Sequence, residues 1–247
     1  MNVMSPNKTV VITGAASGIG KAAALKYHEK GYQVIGLDRH PADAPYPILY
    51  CDIVQDESVR LAFEQIRQCW GSIHYLINCA GVFFSGNRAP IEQMDLEDWN
   101  NVLQINLTGT MLVTKNAIPL LKEASGDRGI VNVSSDQATY PRSRNGAYAV
   151  SKSGIECLTR LCATELLNDK IRVNAVAPAS VRSNFISELA GSQEKMDAMY
   201  RKQDENMPLG LIEAEEIAET ILFLGSESAT KITGQILSVD SGSYLKG

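Results

Sequence analysis

Short apolar runs bounded by glycine, proline and asparagine alternate along the chain with longer segments whose apolar positions recur at helical spacing. Strands buried on both faces read as continuous apolar runs, and helices between them cover those faces. The pattern therefore predicts an α/β fold with a mainly parallel sheet. Strands are expected at 9–13 (TVVIT), 33–38 (QVIGLD), 47–51 (PILYC), 75–79 (YLINC), 129–135 (GIVNVSS), 171–177 (IRVNAVA) and 235–240 (QILSVD). Helical patterns run through 19–30, 56–69, about 96–122, 147–167 and 213–224. The last is marked by the carboxylates of EAEEIAETILFLG in its first turn and by Gly225 after its end.

Two segments break the alternation. RHPADAPYP (39–47) carries three prolines and is too short for the crossover helix that should join two parallel strands, so a loop is expected there. The second, 180–210, is long, polar and weakly helical, and a connection of that length inside a compact domain suggests a substrate lid. With no internal repeat, linker or low-complexity tract, the whole chain, 1–247, reads as one domain.

Composition narrows the classes of function. An apolar share of 45% is enough for a full core, and a net charge of −5 without a long basic run argues against a nucleic-acid partner. The first residues, MNVMSPNKTVVITG, lack the basic and apolar segments of a signal peptide, and no apolar run is long enough to span a membrane. A soluble, cytoplasmic protein is expected. Cys51, Cys69, Cys79, Cys157 and Cys162 include no CxxC pair, and His28, His40 and His74 are dispersed, so neither disulfides nor a metal site is indicated.

Candidate chemistry begins with VVITGAASGIGKAAA, where Gly14, Gly18 and Gly20 follow a buried strand and open a helix. Glycines allow a sharp turn and the close approach of a pyrophosphate, which the helix N-terminus then receives with free N–H groups and a positive dipole end. Asp38 ends the next strand, eighteen residues beyond Gly20, near the separation at which a carboxylate meets the adenosine ribose. A carboxylate there repels a 2′-phosphate, which favours NAD over NADP. The adjacent Arg39 could pair with that phosphate and argues the other way, but Ser17, not a basic residue, precedes Gly18.

Tyr148 and Lys152 fall at i and i+4 in AYAVSKSG, on one face of a helix. A phenol titrates near ~10, and a neighbouring ammonium together with an oxidised nicotinamide would lower that value and make a usable base. Ser135, at the end of GIVNVSS, could hold a substrate oxygen as charge develops on it. Asn106, polar within an apolar helical stretch, calls for a water or a backbone partner.

These residues, in this order, resemble the short-chain dehydrogenase/reductase family. TGAASGIG is similar to its TGxxxGxG cofactor loop, the CAG of INCAGV to part of its NNAG segment, INLTG to the stretch with its catalytic asparagine, and SS…YAVSK to its serine and YxxxK signature. The resemblance runs from Val10 to Val239. It implies a Rossmann-type doubly wound sheet of seven strands with helices on both faces. The implied activity is hydride transfer between a nicotinamide cofactor and a carbinol carbon.

Site roles follow from the same resemblance. Tyr148 would be the acid/base, Lys152 its partner and a ligand of the nicotinamide ribose, Ser135 the group orienting the substrate oxygen, and Asn106 the anchor of a relay water. The cofactor would be lined by Gly14, Ser17, Gly18, Ile19, Gly20, Asp38 and Arg39, with Asp52 and Ile53 at the adenine. Asn78, Ala80, Gly81, Pro178, Val181 and Ser183 would complete the lining. The family also suggests a homotetramer, or a homodimer, built on the helices of Asn106 and Tyr148, with Met111, Leu112, Ile118 and Leu158 as candidate surface.

Three positions depart from the family pattern: Cys79 for asparagine, Ala179 for the glycine of a PG pair, and Ser241 for glycine. Within the family, the proline-rich 39–47 segment and SDQATYPRSRNGAYAVSK resemble dehydrogenases of dihydrodiol acids such as 2,3-dihydro-2,3-dihydroxybenzoate. That likeness would put Arg142, Arg144 and Arg182 near the pocket mouth, where a guanidinium could receive a substrate carboxylate. The expected substrate is a small secondary alcohol or ketone. A 3-oxoacyl-carrier-protein reductase, preferring NADPH, is the alternative enzyme, and a non-catalytic NAD-binding regulator is the alternative of another class.

Overall fold

The computed structural model describes residues 8–40, 42–83, 88–182 and 192–245. Seven of the apolar runs form one sheet: β1 (Thr9–Thr13), β2 (Gln33–Asp38), β3 (Ile48–Tyr50), β4 (Tyr75–Asn78), β5 (Arg128–Val133), β6 (Ile171–Pro178) and, last in the chain, β9 (Ile236–Val239). Their order is β3-β2-β1-β4-β5-β6-β9, and every neighbouring pair is parallel. Two short strands, β7 (Val181–Arg182) and β8 (Ile212–Glu213), pair in parallel apart from that sheet.

Side chains of a strand alternate between faces, so each central strand feeds two cores. On one side Val10 and Ile12 of β1 meet Ala23 and Tyr27 of α1 (Gly18–Glu29) and Ile217 and Ile221 of α7 (Ala214–Leu224). On the other, Val11 and Ile35 meet Phe63 of α2 (Asp56–Trp70), Val113 and Leu121 of α4 (Gly109–Glu123), and Cys162 of α5 (Gly146–Glu165). The expected doubly wound architecture is the observed one.

No helix lies between β2 and β3 among the described residues, in agreement with the prolines. Tyr46 fills the space instead; it is buried and its hydroxyl donates to the Ala15 carbonyl at 3.2 Å, beneath the glycine-rich turn. The described residues of the 180–210 segment include a helix, α6 (Gln193–Asp204).

The helix expected over about 96–122 is not uniform. It runs as α3 (Leu96–Leu103), a π turn at Gln104–Thr108, and α4. Asp95 caps its start by accepting from the Glu97 and Asp98 N–H groups at 2.8 and 3.2 Å. The π turn sits where neighbours press closely. A Cβ on Gly154 would lie 2.7 Å from Leu107 Cδ2, and one on Gly109 would lie 2.8 Å from Ile53 Cδ1. Single π turns inside helices are found mostly at functional sites, and this one carries Asn106, fully buried.

Candidate active site

In an open parallel sheet, ligands collect beyond the C-terminal strand ends where the winding direction reverses. Here that point lies between β1 and β4, and the glycine-rich turn stands over it. Gly14 and Gly18 take φ of +68° and +52°, and the Gly14 N–H donates to Leu37 O at 2.9 Å. Gly20 packs against the turn so closely that a Cβ would lie 2.1 Å from Gly14 O. Exposed Ser17 precedes α1 without a side-chain cap bond, and no acidic residue occupies the first turn. The first N–H groups of α1 are thereby left for an anion, which suits the diphosphate of a dinucleotide.

Asp38 ends β2 beside this turn, its two oxygens accepting from the Ala16 and His40 N–H groups, each at 3.0 Å. The carboxylate is thus fixed in place with a lone pair on each oxygen still free. Arg39 is exposed and makes no ion pair among the described residues. Thr13, which the sequence reading did not single out, ties β1 to the next wall: its Oγ1 accepts from the Cys79 and Ala80 N–H groups, both at 3.1 Å. A threonine closing a strand directly before the glycine-rich turn was the available signal.

Other expected cofactor residues are placed more variously. Asn78 is buried, and its amide donates inward to Asn132 Oδ1 at 2.8 Å and Thr114 Oγ1 at 3.2 Å, so the side chain braces β4 against β5 and α4. Gly81 lies in the cleft, where a Cβ would come within 3.0 Å of Asn106 Oδ1 and 3.7 Å of Lys152 Nζ. Asp52 accepts from the Val54 N–H at 3.2 Å, and Ile53 is buried against Gly109. Pro178 ends β6, and Val181 pairs with Ile212. Ser183 lies outside the described residues.

The departures from the family pattern also receive physical answers. Burial pushes the Cys79 thiol up to about 12, which leaves it an inert small residue. Ala179 is not among the residues with left-handed backbone, so an alanine fits there without strain. Ser241 does adopt φ +51°, the region glycine enters freely.

Ser135 follows β5 and starts a single 3-10 turn, its Oγ accepting from the Gln137 N–H at 3.2 Å. Tyr148 and Lys152 lie one turn apart on α5. Lys152 Nζ donates to Val133 O at 2.8 Å and stands 5.6 Å from the centre of the Tyr148 ring, and the Ser135 hydroxyl acts on the Tyr148 phenol to lower its pKa. Asn106 accepts from the Val82 N–H at 2.7 Å and donates to Val82 O at 2.8 Å and to Ser151 Oγ at 3.0 Å. Its anticipated backbone partner is therefore Val82. The four residues expected to carry the chemistry come together beside the glycine turn.

The electrostatics differ from expectation in one respect. Burial pushes the Tyr148 phenol up to about 12, with Asp136 adding to the rise and Ser135 and Arg142 opposing it. Burial also brings Lys152 down to about 8. The protein groups alone thus hold Tyr148 as a neutral phenol, and the expected lowering by Lys152 is not found.

The three arginines divide as well. Arg142 is engaged, its NH2 donating to Asp136 Oδ2 at 2.9 Å and to the Tyr244 hydroxyl at 3.3 Å. Arg182 pairs with Glu213 at 2.9 Å and lies over the Tyr200 ring, on the α1–α6 side. Neither guanidinium is free at the mouth. Arg144 is exposed, has φ +66°, and pairs with no carboxylate among the described residues. Arg88, not anticipated, lies 5.4 Å over the Phe83 ring, which meets Tyr148 edge-on at 4.8 Å.

Of the residues proposed for a subunit surface, Leu112 is buried and Ile118 and Leu158 pack against the core; Met111 alone is open. Among the described residues no cluster could hold a metal ion, and no helix is long and apolar enough to cross a membrane.

A parallel sheet in this order, with a glycine turn at its winding reversal and a tyrosine–lysine helix facing it, defines a dinucleotide-binding oxidoreductase. Residues 14–244 match a family model described as enoyl-(acyl carrier protein) reductase. The 3-oxoacyl-acyl-carrier-protein reductase of Thermotoga maritima is 34% identical, over 95% of this chain and 97% of that protein. The cis-4-hydroxycyclohexanecarboxylate dehydrogenase of Sinomonas cyclohexanicum is also 34% identical, over 95% and 96%. The solved aldohexose dehydrogenase of Thermoplasma acidophilum superposes with a TM-score of 0.92 at 30% identity, covering 98% of this chain and 96% of that one. The chain belongs to the short-chain dehydrogenase/reductase family. It is an oxidoreductase acting on CH–OH groups with a nicotinamide cofactor.

Proposed function

We propose that the protein is an NAD-dependent dehydrogenase of a compact cyclic hydroxy acid, acting in the cytoplasm as a homotetramer or homodimer. The observation that carries this reading is the convergence of Tyr148, Ser135, Lys152 and Asn106 beside the uncapped N-terminus of α1. A bound nicotinamide dinucleotide would supply the hydride acceptor for the carbinol carbon. The N–H groups of the Gly14–Gly20 turn would hold its diphosphate, Asp38 the adenosine ribose, and Lys152 the nicotinamide ribose. Tyr148 takes the proton of the alcohol, and Ser135 keeps the substrate oxygen within reach of it. Asn106, by clamping both polar groups of Val82, holds the loop after β4 against α5 and keeps the cleft its shape.

Asp38 supports the choice of NAD, because its carboxylate is held where a 2′-phosphate would meet a like charge. The expected kcat/KM is at least ~10-fold higher with NAD than with NADP, and Asp38→Ala should narrow that gap, since one like-charge contact is a matter of ~1–2 kcal/mol. Equal efficiency of the unaltered enzyme with both cofactors would overturn the assignment.

The acidic class of substrate is supported by Arg88, over the Phe83 ring that meets Tyr148, by Arg144, exposed and four residues before Tyr148 in the chain, neither of which pairs with a carboxylate among the described residues, and by the hydroxy acid in the name of the Sinomonas relative. A substrate carboxylate between such groups forms charge-assisted hydrogen bonds of ~1.5–3 kcal/mol. A screen by NADH fluorescence should therefore show cis-4-hydroxycyclohexanecarboxylate and related acids oxidised at least ~10-fold more efficiently than their methyl esters, a preference that Arg144→Ala reduces. Acids and esters turning over alike would remove this substrate class. The Thermotoga relative favours a second reading, reduction of carrier-bound 3-oxoacyl chains. NADPH-dependent turnover of an acetoacetyl thioester in the same screen would select it.

A further inference from the structure

Beside the expected catalytic serine lies a buried carboxylate to which the reading above gives no task. Asp136 is 4% exposed, and its oxygens accept from three groups. Oδ1 accepts from Ser135 Oγ at 2.9 Å; Oδ2 accepts from Arg142 at 2.9 Å and from the hydroxyl of Tyr244, in the C-terminal segment, at 2.7 Å. Tyr140 stacks on Tyr244 with ring centres 4.0 Å apart and covers this pair.

Elementary hydrogen-bond accounting gives the arrangement a direction. An ionised carboxylate only accepts, and a guanidinium only donates. Paired with Arg142, Asp136 is the charged form, so the Ser135–Asp136 bond uses the one proton the serine owns. Ser135 Oγ already accepts from Gln137 N–H, and what remains is a single lone pair. We propose that Asp136 is a positioning residue that takes the Ser135 proton, so that the serine offers only an acceptor to Tyr148 and to the substrate oxygen.

Two consequences follow for the site. Ser135 can lower the pKa of Tyr148 only by turning its proton from Asp136 to the phenolate; while Asp136 holds that proton, Tyr148 can only donate to the serine and stays a phenol. A substrate hydroxyl can donate to Ser135 on arrival, whereas a carbonyl oxygen meets no donor there until the serine releases Asp136. The arrangement thus favours the alcohol over the ketone in the slot. The inference rests on the reading of Tyr148 as the proton carrier.

Charged and titratable groups face Tyr148 from each packed element. Lys152 lies on its own helix, Asp136 and Arg142 lie after β5, Tyr244 stands behind them in the C-terminal segment, and Arg88 reaches the ring only through Phe83. The negative charge of Asp136 and the positive charge of Arg142 act on the phenol in opposite senses. In Asp136→Asn, Arg142 keeps the amide oxygen on its side, which turns the amide N–H toward Ser135 and frees the serine proton to be donated to the phenolate.

The test is a titration of Tyr148 by NMR in enzyme labelled with [ζ-13C]tyrosine and saturated with NAD, with the Tyr148 resonance identified by its loss in Tyr148→Phe. Asp136→Asn should lower the titration midpoint by about one pH unit, a tenfold gain in phenolate at a given pH, and Arg142→Met should raise it by a similar amount. The two charges alone give shifts of opposite sign, so the serine proton is read by repeating Asp136→Asn in Ser135→Ala, where the lowering should shrink, and an equal lowering with and without Ser135 overturns the proposal. Midpoints that stay put, or move the same way in both variants, overturn the proposal. If Asp136→Asn fails to fold, Ser135→Ala alone decides it: loss of a group that only accepts from the phenol should lower the midpoint, and a rise overturns the proposal. Turnover by Tyr148→Phe would instead defeat the reading of Tyr148 and leave the titration to stand on its own.

Discussion

Replacing Tyr148 with phenylalanine is expected to lower kcat by at least ~10³, within the range that a positioned acid/base supplies, while NAD affinity stays nearly unchanged. The phenylalanine ring keeps the edge-on contact with Phe83 and loses only the hydroxyl that reaches Ser135. Absorbance of NADH measures turnover, and calorimetry measures cofactor binding. An unchanged kcat would refute the proposed mechanism. Tight NAD binding by the unaltered protein, without turnover across alcohols and ketones, would instead point to a non-catalytic binding role. The phenol, pushed up to about 12 by burial, also sets the sign of the pH response. Oxidation needs the deprotonated group, so its rate should climb with pH through the neutral and alkaline range, and reduction should fall over the same range.

The largest effect on stability is expected far from this cleft, at Asp127. Arg172 of β6 donates to its two oxygens through Nε at 3.0 Å and NH2 at 2.8 Å, and Tyr75 of β4 adds its hydroxyl at 2.8 Å. The same guanidinium donates to the Leu224 and Ser226 carbonyls at 2.7 and 3.0 Å, just past α7. One ion pair therefore pins two strands, the turn before β5 and the end of a helix. Asp127→Ala removes the countercharge and leaves the guanidinium buried, which costs about 3–5 kcal/mol. The melting temperature should fall by on the order of 10 °C, with the catalytic constants little changed. A denaturation midpoint shifted by less than ~1 kcal/mol would show that the Leu224 and Ser226 carbonyls alone suffice for Arg172.

What could be read in the sequence was what depends on neighbours in the chain. Runs such as VVIT and YLIN announce strands because a sheet covered on both faces leaves them no polar side to show, and Gly14, Gly18 and Gly20 mark a turn whose backbone needs them. Tyr148 and Lys152 are joined by helical spacing, and the three prolines of 39–47 exclude a helix by removing donors. What was not legible depends on partners brought from afar. Asp136 meets Tyr244 across 108 residues, and Arg182 meets Glu213 across 31, so the sequence shows three similar arginines where the fold makes two of them structural. The rise of the Tyr148 pKa belongs to the same class, because burial is a property of the packed cleft and not of the YxxxK spacing. The π turn escaped for another reason: its apolar residues, Ile105 and Leu107, fit a plain helix equally well.

That turn separates two things a helix usually does at once. A π turn holds one residue more than the α-helical turn it replaces, and each residue of an α-helix advances the chain by about 100° around the axis. Had the extra residue been wound as α-helix, everything after it would be rotated by that angle, and Leu112, Val113 and Leu121 would leave the core. Absorbed locally, it leaves α4 in phase with α3 while Asn106 turns inward to the Val82 backbone. The seam between recognition and scaffold thus runs through five residues, Gln104–Thr108, in which the cleft can be altered without rephasing the helix that supports the sheet.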